Sequence, residues 1–137
     1  MKQHRSILAA IFASVAIHAS PAVAGDDHHH DGAPHEHVSA HGGTVVESGH
    51  HHLEIVAKDG EIAVYVAGED GKPEDVSGAK ANAAVLSGGK KVDVALAPDA
   101  GGFLKGTGDF TATAGTTIVI TLTMPEHAPE QARLKLE

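Results

Sequence analysis

From Gly42 to the end of the chain, apolar and polar side chains alternate over short stretches, and Gly, Asp or Pro closes most of them. A repeat of two residues suits a strand, whose side chains point to opposite faces in turn, and does not suit a helix. Thr117–Thr123 states the pattern most clearly, with Ile118, Ile120 and Leu122 on one face and Val119 and Thr121 on the other. Residues 44–47, 51–57, 61–67, 91–97 and 131–136 repeat it. Residues 80–86 read as a further strand, although their alanines leave a helix as the alternative. Short segments at 103–104 and 109–112 complete the set. Asp59-Gly60 and Gly88-Gly89 have the composition of two-residue hairpin turns. The expected fold is therefore all-β, a small antiparallel β-sandwich of immunoglobulin-like type. A small β-barrel is the alternative that the same spacing allows.

The first residues follow another logic. Lys2 and Arg5 precede an apolar run from Ile7 to Ile17, and Ala22-Val23-Ala24 has the small-x-small form that a signal peptidase reads. The run is about 11 residues, well short of the roughly 20 that span a bilayer. Residues 1–24 are thus expected to be a cleavable signal peptide, with the mature protein in the periplasm and no membrane insertion after cleavage. The leader holds no acid, so losing Lys2 and Arg5 takes the formal charge from -8 to -10. Such a field repels nucleic acid and attracts cations. The chain has no cysteine, hence neither disulfides nor thiolate ligands.

Nine of the twelve histidines fall between His28 and His52. Residues 25–40 hold His28, His29, His30, His35 and His37 among Asp and Glu, with no apolar periodicity. They read as a disordered arm that captures metal, ahead of a domain over residues 41–137. Neutral imidazole presents a lone pair suited to borderline transition metals, and Zn or Cu is the expected ion. In residues 51–57, His52 and Glu54 share a strand face at a spacing of roughly 7 Å, and His41 stands just before the first strand beside Gly42-Gly43. These three form the expected fixed site. His50 and His51 adjoin it, with His51 in the parity of Leu53. His127 follows Met124-Pro125, and Met124 itself reads more readily as packing than as a ligand. Catalytic motifs are missing: there is no G-x-S-x-G elbow, H-E-x-x-H helix or phosphate loop. No enzymatic activity is expected.

Across residues 41–66 the chain resembles a segment of the periplasmic adaptor subunits of heavy-metal efflux systems, and of small free-standing periplasmic metal-binding proteins. His41, Gly42, Gly43, Gly49, His52, Glu54 and Tyr65 carry the likeness. Residues 122–136 resemble the closing strands of the same module. The resemblance implies a β-sandwich that binds, buffers or delivers a transition metal in the periplasm, linked to metal resistance or homeostasis. A metal-efflux adaptor or pump would be its protein partner. The chain lacks the adaptors' coiled-coil hairpin, lipoyl-like and membrane-proximal parts, so it would not bridge a pump and a channel by itself. The alternative reading is a metal- or pH-responsive partner-binding module for an envelope efflux system.

Overall fold

The computed structural model describes residues 38–137. Eight strands are present: β1 (Thr44–Ser48), β2 (His51–Lys58), β3 (Glu61–Gly68), β4 (Lys80–Ser87), β5 (Lys90–Pro98), β6 (Leu104–Thr107), β7 (Thr117–Thr123) and β8 (Glu130–Lys135). All neighbours run antiparallel in the order β1-β2-β3-β6-β5-β4-β7-β8. Residues 80–86 are strand, not helix. Residues 109–112 are irregular. There Phe110 packs into the core cluster, its carbonyl accepts the Gly60 amide, and Asp59 accepts the Ala112 amide.

The expected immunoglobulin-like sandwich is overturned. A sandwich needs two sheets that do not hydrogen-bond to one another. Here β6 bonds on both sides, pairing Leu104–Thr107 with Glu61–Val64 of β3 and Leu104 and Lys105 with Pro98 and Ala97 of β5. One continuous sheet results. Its inward faces must be hidden, so it curls until β1 lies beside β8, with no β1–β8 ladder formed. This is a nearly closed eight-stranded barrel, the alternative that the strand spacing allowed. Eight strands enclose a space that side chains just fill. Leu53, Ile62, Val64, Ala83, Val85, Leu104, Ile118 and Ile120 are completely shielded inside it.

The fewest paired residues join β5 and β6. Pairing between them is confined to the end of β5, and beyond it Gly106 packs closely against Val94–Leu96 of β5. A Cβ at Gly106 would run into the Ala95 carbonyl and the side chains of Val94 and Leu96. Backbone cannot yield there as a flexible side chain would. Gly106→Ala is expected to destabilise the barrel by about 1–3 kcal/mol, the usual range for overpacking. Urea denaturation measures it, and an unchanged midpoint would show that the packing around Gly106 has slack.

Candidate functional site

The outward face of β2 and its neighbours carries the residues that the sequence singles out. Strand pairing aligns Val45, Glu54 and Tyr65 across β1, β2 and β3, and Glu47, His52 and Ala67 in the next row. An outward carboxylate would ordinarily be wet. Glu54 is instead buried, because residues 39–43 fold back over it. Its Oε1 accepts the Ser39 hydroxyl at 2.7 Å, the His41 amide at 2.7 Å and the Gly43 amide at 3.0 Å. Its Oε2 accepts the Ala40 amide at 3.1 Å and meets His41 Nδ1 at 2.8 Å. Burial, the largest single influence on this group, raises its pKa. The bonds from the Gly43 amide, the Ser39 hydroxyl and the ring and amide of His41 together outweigh it and bring the value down to about 2.

The diglycine after His41 has a local explanation. Gly42 has φ of 78°, in the left-handed region. At Gly43 a Cβ would strike the Ile55 carbonyl and the Val56 side chain. Both are needed to bring the amides of His41 and Gly43 onto one carboxylate.

His41 is held twice. Its Nδ1 faces Glu54, and its ring lies flat on Tyr65, with centroids 3.6 Å apart and planes within 1°. Tyr65 in turn stacks on Phe103 at 4.8 Å. The nitrogen left to meet anything else is Nε2. His41 also lines a cleft of about 420 Å³ whose walls include Val38, Val45, His52, Tyr65 and Pro73. His41, His52 and Glu54 all line this cleft, but Glu54 already accepts five protein donors. Among the described residues, no group of three or more His, Asp or Glu is arranged to hold a metal ion.

The other candidates lie elsewhere. His51 points to the barrel interior with Leu53, its side chain 6% exposed, and its Nδ1 is 2.8 Å from Glu130 Oε2. His50 is exposed and pairs with Glu69 at 2.9 Å. The hydrogen bond that Glu69 accepts from the ring, with the charge of the carboxylate, raises the His50 pKa. His127 stands on the turn between β7 and β8, edge-on to His51. Met124 is buried in the core cluster, as packing rather than as a surface donor. His28, His29, His30, His35 and His37, with the leader and most of the arm, lie outside the described residues. Sequence reasoning did not find Ser39, Glu69, Phe103 or Glu130. Glu130 had left a signal, since it shares the inward parity of Ala132 and Leu134.

No family model, curated protein or solved structure matches the chain. The resemblance to efflux adaptors therefore stands on the residues quoted for it alone.

Two substitutions probe the local architecture. Glu54→Gln keeps the shape but replaces an acceptor oxygen with a donor, and it should destabilise the protein by roughly 3 kcal/mol at neutral pH, the equivalent of the depressed pKa. The folded-state pKa lies below the unfolded one, so this contribution is complete above about pH 4.5 and fades as pH falls towards about 2. Chemical denaturation of both proteins across that window should show their midpoints converging. Glu126, at the third position of the turn closed by the His127 amide on the Met124 carbonyl, has φ of 63°, a conformation costly for any residue with a Cβ. Glu126→Gly is expected to raise stability by up to about 1 kcal/mol, read as a higher thermal midpoint.

Proposed function

We propose that this chain is an exported binding module whose grip on a partner answers to metal ions or protons at its histidines. The observation that carries the reading is His41. Glu54 fixes one ring nitrogen and Tyr65 fixes the ring plane, so Nε2 is held in a set direction on a residue that lines the cleft. A histidine whose second nitrogen is tied to a carboxylate is the arrangement in which imidazole usually serves as a metal ligand, because the carboxylate sets the tautomer and strengthens the lone pair. His52 lines the same cleft.

Two imidazoles do not fill the coordination sphere of a Zn²⁺ or Cu²⁺ ion, which takes four or more donors. The described residues supply no third ligand beside them. A cation held there keeps positions open to donors brought by another protein. That favours metal-dependent association over tight storage. The apolar walls at Val38, Val45 and Pro73 give such a partner something to cover. Protons compete for the same lone pairs, so acidification opposes the metal-bridged complex. A metal-efflux component of the envelope is the partner class that the sequence resemblance suggests. Buffering or delivery of the metal is the second reading, favoured by the carboxylate-tied geometry of His41; in it, the cation's remaining sites are filled by water.

Placing a photo-crosslinking residue at Ala67, within the cleft, tests the proposal in cells that export the full chain. Irradiation should yield an adduct with an envelope protein when zinc is present. Adduct yield should fall at least about tenfold with a chelator or with His41→Ala, the size of effect seen when metal coordination is disturbed. An adduct indifferent to both, or no adduct at all, overturns the partner reading. Zinc binding that persists without any adduct would favour buffering instead.

A further inference from the structure

A second pair of imidazoles meets at the end of the barrel below the β1–β2 turn, on the opposite side of the sheet from the cleft. His51 is buried there with Nδ1 on Glu130. Glu130 is fixed in turn, since its other oxygen accepts the His50 amide at 3.3 Å. Across from His51 stands the His127 ring, with centroids 5.4 Å apart and planes inclined at 61°. That separation is ordinary for an edge-to-face ring pair, and it is also wide enough for a shared ion. Two imidazoles bound to one tetrahedral cation through nitrogens about 2 Å from it have ring centres about 5 Å apart. A flat stack such as His41 on Tyr65 brings ring faces together and leaves no room for an ion between edges.

Ser48 provides an independent observation. It is the cross-strand partner of His51, and so shares its inward face. The residue is 3% exposed, and its Oγ has no hydrogen-bond partner. A buried hydroxyl without a partner is uncommon, and a water held by an ion is the kind of group that satisfies one. The strained φ at Glu126 belongs to the same place, for it lies in the turn that sets His127 opposite His51.

We infer that His51 and His127 form a two-imidazole site for a Zn²⁺- or Cu²⁺-class cation, with Glu130 positioning His51 and water completing the coordination. Each residue has one task. Glu130 accepts the Nδ1 proton of His51 and leaves the Nε2 lone pair for the ion. His127, on an exposed turn, supplies the second nitrogen and the route of entry. Ser48 offers its hydroxyl to a coordinated water. The site shares no ligand with the cleft and stands or falls independently of it.

Nitrogen-15 NMR of the histidine side chains of the full chain, titrated with Zn²⁺, decides the matter because every imidazole reports separately. One ring nitrogen of His51 and one of His127 should shift together and saturate at the same zinc concentration. His127→Ala, a change at an exposed position, should abolish the His51 shift or raise the required zinc at least about tenfold, while His41→Ala leaves it in place. Glu130→Gln should weaken the same site by about tenfold while keeping both rings as ligands. Movement of neither ring, of only one, or of His51 unaltered in His127→Ala overturns the assignment.

Discussion

A sheet that is hydrogen-bonded without interruption can bury its apolar faces only by covering them or by rolling up. In this protein β6 makes that choice. Four residues long, it is stitched to β3 along its length and to β5 at one end, so the strands before and after it belong to one surface. Rolling that surface brings the inward halves of seven other strands against each other and makes one core. It also leaves two different outsides, a long flank across β1, β2 and β3 and a rim at each end. Both sets of histidines stand where the rolled sheet meets something else.

On the flank, the chain ahead of β1 is tied down by a carboxylate. Pinning backbone to the outside of a sheet is unfavourable unless its amides find acceptors, because a strand's own hydrogen bonds run sideways to its neighbours. Glu54 supplies those acceptors and is buried as a result. The burial, the low pKa and the fixed His41 ring are three results of one arrangement. At the rim, Glu130 plays a related part, joining the first residue of β8 to the start of β2 where the two edges of the sheet come near one another without a ladder.

Much of this was legible in the sequence, and the reason lies in periodicity. The inward residues of β2, β3, β5, β7 and β8 follow from strict alternation, and the turns at Asp59-Gly60 and Gly88-Gly89 from their composition. The shared face of His52 and Glu54 came from the same rule. Closure did not, because alternation records which side of a strand is buried and nothing about which strand lies next to it. The decisive pairings of β6 involve Leu104 to Thr107, a stretch too short to show a pattern. The partners of Glu54 were hidden for a different reason: four of its five bonds come from main-chain amides or from Ser39, and amides carry no residue-specific mark. Glu130 is the exception that parity could have revealed, as a charged residue in register with a core.

Apolar side chains of the core cluster occupy the interior of the barrel. The histidines of the flank and the rim stand outside that apolar cluster. Such a scaffold can exchange one set of surface donors for another while the packing of Leu53, Val64 or Ile120 stays as it is. Changing what the turns and the outward positions of β1, β2 and β3 display would then leave most of that packing in place.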